Sequence, residues 1–418
     1  MSPAPRVGLV LAVLAAAAVV VPVPLVLLGA LVLAAATVVD ARSVRRRPEM
    51  VRQAPSVLAR GVAAPLRVCV AAPGASQVRV RQPSTADLAV EPPEAADNLE
   101  AVLMPRRRGR HRLPPVAVRT VGPLGLGRWD HPGADDVEVV VYPDLPGARR
   151  LALAVRQGRF GGQGLRSRGP LGLGTEFESV RDYVPDDDIR QVNWRATDRM
   201  AHPMSNQYRV DQDRDVVCVV DAGRLMAAPL PGIPPQTRLD AALDAVTAVA
   251  LVADELGDRC GAVAFDSEIR RRLPPRRRGG RPVVEALFDL EPTAVDSDYE
   301  LALRTVARTK RSLVLLLTDL LDEGAARPLV EAVPVLARRH AVVVASTTDP
   351  DLAALVRTPP GTPLDAYAAS VAVEVLDARA RVVHQLTRAG AEVVEAPPGQ
   401  LAAACVSAYL RLKNRAKL

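Results

Sequence analysis

The chain has 418 residues, of which 49% are hydrophobic, 3% aromatic and 24% charged, and its net charge is +7. That much aliphatic side chain excludes wholesale disorder, and the length implies two or three domains. The basic clusters at 45–47, 106–112 and 270–281 lie far apart with few aromatics between them. Nucleic-acid binding by base stacking is therefore unsupported, and solvated faces or a nearby membrane are the expected setting.

Residues 7–39 carry no charged side chain. As one helix they would be roughly 50 Å long, against a hydrocarbon core of about 30 Å. Pro22 and Pro24 sit in the middle and disfavour continued helix. The expectation is a transmembrane α-hairpin within residues 1–47, with spans at about 7–21 and 24–40. Arg6 precedes the apolar stretch, and Arg42, Arg45, Arg46 and Arg47 follow it. Positive flanks stay on the cytoplasmic side, which predicts two spans in the cell membrane with the soluble part inside. An uncleaved signal anchor with the domain outside is the competing topology.

Residues 48–147 hold short alternating stretches separated by Pro and Gly, including 66–70, 77–81, 115–119 and 137–142. This pattern predicts a small β-sandwich-like domain. The stretch 148–175 is rich in Gly and Arg and reads as a linker. Cys218 and Cys260 sit in apolar runs and read as buried thiols; with Cys69 and Cys405 they form no CxxC pair, so a zinc site is not expected.

From about 214 the pattern changes to strand–helix alternation. Strands are expected at 216–220, 261–265, 313–318, 341–347 and 391–395. Helices are expected at about 239–256, 297–310, 324–339, 365–389 and from 399 onward. Continuous apolar strands alternating with helices imply an α/β, doubly wound parallel sheet covered on both faces. Four strands run into or close to an aspartate: Asp221, Asp266, Asp319 and Asp349. Ligands of such sheets sit at the carboxyl ends of the strands. Converging carboxylates call for a cation, and a hard dication such as Mg2+ is the usual one. Asp221 and Asp319 are the candidate pair. Asp266 and Asp349 read instead as caps of the helices that follow, a reading equally open to Asp221 and Asp319. No nucleophile elbow, zinc-protease helix, phosphate loop or dinucleotide fingerprint occurs, and the five histidines are scattered, so no catalytic residue is assigned.

The stretch 172–226 resembles the bacterial family catalogued as domain of unknown function 58. The resemblance rests on Gly174-Thr175-Glu176-Phe177-Glu178-Ser179-Val180-Arg181-Asp182-Tyr183, on Asp186-Asp187-Asp188-Ile189-Arg190-Gln191-Val192-Asn193-Trp194-Arg195-Ala196, and on Arg199. It departs from the family pattern at Asp186, where Gly is usual, and at Asp198, where a small residue is usual. The resemblance implies that 176–418 comprises the family motif and a von Willebrand factor A-like α/β domain. Such domains often hold a metal site of the form D-x-S-x-S with a distant Thr and Asp. Here the first run is Asp221-Ala222-Gly223-Arg224-Leu225. Two hydroxyl ligands are missing, so the resemblance implies at most a degenerate Mg2+ site at Asp221 and Asp319.

The resemblance also implies work beside a MoxR-type AAA+ ATPase in protein-complex assembly. Glu176, Phe177, Arg181, Tyr183, Asp187, Arg190, Trp194 and Arg199 are then the partner-binding candidates. They can equally form a salt-bridge network packed around Tyr183 and Trp194 that pins the loop to the sheet. The leading expectation is a non-enzymatic, membrane-anchored scaffold or adaptor that binds membrane or cytoplasmic proteins. The alternatives are a metal-dependent hydrolase at the membrane face and an extracellular adhesion protein.

Overall fold

The computed structural model describes residues 1–133, 136–160, 176–184, 192–209, 214–233, 235–320 and 323–414. These divide into two compact units, Met1–Tyr142 and Pro143–Leu418.

The first unit begins with β1 (Ser2–Pro3), α1 (Pro5–Ala17) and α2 (Val23–Ser43). The break between the helices ends at Pro22, which caps α2, and Pro24 sits in the first turn of α2, where its missing N–H costs nothing. The expected pair of spanning helices is not found: among the described residues only α2 is long and apolar enough to cross a membrane. α1 has 13 residues, about 20 Å of helix, well short of the hydrocarbon thickness. Leu25, Leu27, Leu28, Leu31 and Val32 on α2 are exposed. The carboxyl end of α2 is instead held against the unit's β-structure. Asp40 accepts backbone N–H bonds from Leu124 at 2.9 Å and from Leu126 and Gly127 at 2.8 Å. Gly127 is needed there, because a Cβ would lie 2.4 Å from the Ala41 nitrogen.

Eleven further strands follow in this unit. They are β2 (Glu49–Gln53), β3 (Val57–Ala59), β4 (Ala64–Ala71), β5 (Gln77–Arg81), β6 (Leu88–Glu91) and β7 (Glu94–Ala96). Then come β8 (Leu99–Pro105), β9 (Gly109–Leu113), β10 (Ala117–Val121), β11 (Gly127–His131) and β12 (Val137–Tyr142). Three sheets result, in the orders β1-β11-β10-β5-β7, β2-β4-β8-β6 and β3-β12-β9. In β4 and β8 alternate residues are buried, and Leu66, Val68, Leu99 and Leu103 join Val80, Val118 and Val139 in one core. The two-residue period of the sequence sets which face is wet.

The second unit opens with α3 (Leu145–Arg156), a helix capped by Asp144 where the sequence from 148 reads as linker. The remainder of that stretch, 161–175, lies outside the described residues. A two-stranded antiparallel sheet follows, β13 (Glu176–Asp182) with β14 (Met204–Arg209), and α4 (Trp194–Met200) lies between the two in sequence.

The central sheet has six strands, β15 (Asp215–Asp221), β16 (Arg259–Phe265), β17 (Ile269–Arg277), β18 (Ser312–Leu317), β19 (Ala341–Thr347) and β20 (Glu392–Ala396). Its order is β17-β16-β15-β18-β19-β20. All neighbours are parallel except β17, which pairs antiparallel with β16 at the edge. The sequence reading gave no strand at 269–277.

The helices are α5 (Arg238–Glu255), α6 (Gly280–Leu287), α7 (Tyr299–Ala307), α8 (Glu323–Ala337), α9 (Pro350–Arg357), α10 (Pro363–Arg388) and α11 (Pro398–Asn414). Val216, Cys218 and Val220 pack with α3, α5, α6 and α11, whereas Val217 and Val219 pack with α7, α8 and α10. Both faces of β15 are thus dry, which is why its sequence is continuously apolar rather than alternating.

Candidate functional site at the carboxyl ends of the central strands

The chain leaves β15 toward β16 on one side, and β18 pairs on the other. Crossovers diverge at that point, which is where an open α/β sheet leaves a crevice for ligands. Asp221 ends β15, and Thr318 and Asp319 follow β18, so the two carboxylates expected to pair do come from adjacent strands. They are not shared by a common cation position, however; each is engaged by different groups of the protein.

Asp221 is fully buried and its oxygens are occupied. One accepts from the Gly223 N–H at 2.8 Å and the Ser297 hydroxyl at 2.5 Å. The other accepts from the Tyr299 phenol at 2.9 Å and the Thr318 hydroxyl at 2.6 Å. Burial and the Asp221 charge hold the Tyr299 phenol well above its ordinary pKa, so it stays a donor.

Asp319 is 4% exposed. Its Oδ2 receives the guanidinium of Arg238, the first residue of α5. The second Arg238 amino group lies 4.0 Å from Asp349. Burial raises the Asp319 pKa, while the charges of Arg238 and Arg379 pull it back. Asp319 Oδ1 has no hydrogen-bond partner. Arg379, from α10 on the opposite face, is itself buried. It pairs with Glu395 and donates to the Ser346 hydroxyl at 3.1 Å and the Thr347 carbonyl at 2.7 Å. Each helical layer therefore contributes one arginine to the crevice.

This donor set does not fit a dication. The lone pairs of Asp221 are taken by hydroxyl and N–H donors, Gly223 and Leu225 bring no side-chain oxygen, and a guanidinium already pairs with Asp319. Among the described residues no group of three or more His, Cys, Asp or Glu side chains could hold a metal ion.

Of the other strand-end acids, Asp266 does not cap a helix as expected, because the strand β17 follows it; it organises the turn instead. Asp266 accepts from the Glu268 N–H at 3.0 Å, from Arg270 at 2.9 Å and from the Thr293 hydroxyl at 3.0 Å. Asp349 caps α9 through the Asp351 N–H at 3.0 Å.

The motif residues lie elsewhere. Glu176, Phe177 and Arg181 are in β13, Tyr183 just follows it, and Trp194 and Arg199 are in α4. Asp187 and Arg190 lie outside the described residues. Asn193 caps α4 through the Ala196 N–H at 3.0 Å and ties it to β14 through Asn206 at 2.7 Å. The expected packing around Trp194 is not found: its side chain is 69% exposed, and Met200 on the same helix is 57% exposed. His202 pairs with Asp182 at 2.9 Å, which raises its pKa.

Sequence reasoning missed Arg238, Ser297, Tyr299, Thr318 and Arg379. Arg238 left a trace: a basic residue in the first turn of an apolar helix opposes the helix dipole and calls for a carboxylate partner.

Curated relatives are uncharacterized proteins of Mycobacterium bovis and Mycobacterium tuberculosis, each 28% identical over 187 residues, or 43% of this chain. The match spans 56% of the relatives' own length. Among solved structures, the sulfur carrier protein SoxY from Chlorobium limicola aligns with 26% of this chain and 97% of its own at 17% identity and a TM-score of 0.14. An uncharacterized membrane spanning protein from Vibrio fischeri covers 49% of this chain and 100% of its own at 15% identity and 0.16. Scores this low carry no argument about fold. Residues 179–385, which contain most of the motif, Asp221 and Asp319, match the family described as Protein of unknown function DUF58.

Proposed function

We propose that this chain is a membrane-anchored adaptor that docks a protein partner through the β13–β14 hairpin and α4. The observation that carries the reading is the exposure of Trp194 on a capped helix with Arg195 and Arg199. Tyr, Trp and Arg are the residues most often found at the energetic centre of interfaces. An exposed indole that contributes nothing to a core has its natural use there.

Three further points support the reading. α2 is of spanning length and its exposed leucines are suited to lipid. Arg42, Arg45, Arg46 and Arg47 follow it, and positive flanks favour the cytoplasmic side, which supports an inward-facing soluble part. The strand-end crevice is closed by the molecule's own Arg238, so the α/β unit is best read as a von Willebrand factor A-like module that works without a metal. The partner class implied by the family resemblance is a MoxR-type AAA+ ATPase.

The test is a cross-linking pull-down from native membranes with wild type and Trp194→Ala. The variant should keep its thermal midpoint, since the indole is exposed, and should weaken capture of the ATPase by about thirty-fold or more, the scale of a hot-spot truncation. Wild-type capture by Trp194→Ala would remove the hairpin from the interface.

A further inference from the structure

Of the three basic clusters, two have members engaged within the protein. Arg45 lies over the Trp129 ring at 5.9 Å, Arg108 is buried, and Arg110 and Arg112 pair with Glu138 and Asp136. The third is different. Arg270, Arg271, Arg272, Arg276, Arg277, Arg278 and Arg281 are all exposed, and β17 carries the first five along the free edge of the central sheet. Arg270 pairs with Asp266 and Arg281 with Glu285. Among the described residues no carboxylate pairs with Arg271, Arg272 or Arg276. Glu268 is the one acid within 268–281.

The backbone of this edge is unsuited to a peptide. Pro274 and Pro275 lack N–H donors, and they sit opposite Gly261 at a break in register between Cys260 and Ala262. A Cβ on Gly261 would approach the Leu273 carbonyl and the Pro275 nitrogen to 2.6 Å, so the bulge depends on that glycine. Bulges, prolines and charges are the features that block addition of another strand. What remains available is a cationic ribbon about 30 Å long.

We propose that β17 is a membrane-surface contact that binds anionic lipid headgroups. This rests on the anchored reading above: a chain held in the bilayer by α2 keeps its other unit at high effective concentration near the leaflet. Arginines near an anionic surface each strengthen binding about five-fold, and the attraction fades within a Debye length. Three free arginines on a tethered domain are enough to bias it toward the surface.

The full chain is reconstituted into lipid nanodiscs, in a Cys69→Ser background whose three remaining thiols are buried. A fluorophore is placed at Ser267→Cys, in the exposed β16–β17 turn. Discs contain headgroup-quencher lipid with either neutral phosphatidylcholine or about one-third phosphatidylglycerol. Quenching is expected in the anionic discs alone. It should be reversed by about 0.5 M NaCl and lost in Arg271→Glu/Arg272→Glu/Arg276→Glu, whose fold is checked by circular dichroism. Equal quenching in neutral discs, or quenching that survives the triple variant, overturns the proposal. So does protection of the probe by a soluble acidic polypeptide without any response to phosphatidylglycerol, which would assign β17 to a protein. Failure of the chain to enter discs at all is a separate result, and it counts against the anchor itself.

Discussion

Arg238 decides what the strand-end crevice can do. A guanidinium buried against Asp319 neutralises a carboxylate that would otherwise need a metal or a proton. Asp221 is held by hydrogen bonds instead, with hydroxyls from Ser297, Tyr299 and Thr318 turned onto it. A buried ion pair is weak evidence of stability, but breaking one is costly because the survivor is stranded. Arg238→Met should therefore destabilise the α/β unit by about 3–5 kcal/mol in urea denaturation. Arg238→Met/Asp319→Leu should recover most of that loss, since neither charge is then left buried. A double variant as unstable as the single one would mean that the two charges do not compensate each other.

At the scale of elements, α2 is joined to the loop before β11 by Asp40. Asp40 is buried at the end of a helix otherwise free of charge until Arg42, and three backbone N–H groups converge on it. The side chain acts as a cap for a turn remote in sequence. Asp40→Ala leaves those donors without an acceptor, at about 1–3 kcal/mol for each that stays buried. The expected outcome is faster amide exchange at 124–127, with the core strands β4 and β8 unchanged. Unaltered exchange at those amides would show that the turn holds itself.

At the scale of the whole molecule, two buried imidazoles contribute to the response to acid. Burial lowers the pKa of His131 in the first unit, and burial together with Arg339 lowers that of His340 in the second. Both lie below the ordinary value of 6.5, so the unfolded chain takes up protons first as pH falls. Their contribution to stability is complete above 6.5 and declines below it. The exposed His202, raised by Asp182, works the other way: its contribution is present below 6.5 and is lost as pH rises through its folded value. Thermal midpoints should thus fall between about pH 7 and pH 5. His340→Asn, whose amide keeps a hydrogen-bonding group for the Ser312 hydroxyl, should flatten that fall for the second unit. An unchanged slope would remove His340 from the acid response.

Local chemistry determined much of this protein in advance. Pro22 and Pro24 break the apolar segment, alternation over 66–70 marks β4 as half-buried, and unbroken Val and Leu runs mark β15, β18 and β19 as buried on both faces. These properties belong to neighbouring residues and their periods, so they are readable without a fold. The length of α1 was misjudged because hydropathy does not say where a helix stops. β17 was missed because arginines and two prolines carry no strand period, and pairing with β16 imposed the strand. The crevice was decided only by tertiary structure. Arg238 and Asp319 are 81 positions apart, and nothing local to either names the other. Strand order brings them together, and burial then converts two ordinary side chains into a coupled pair.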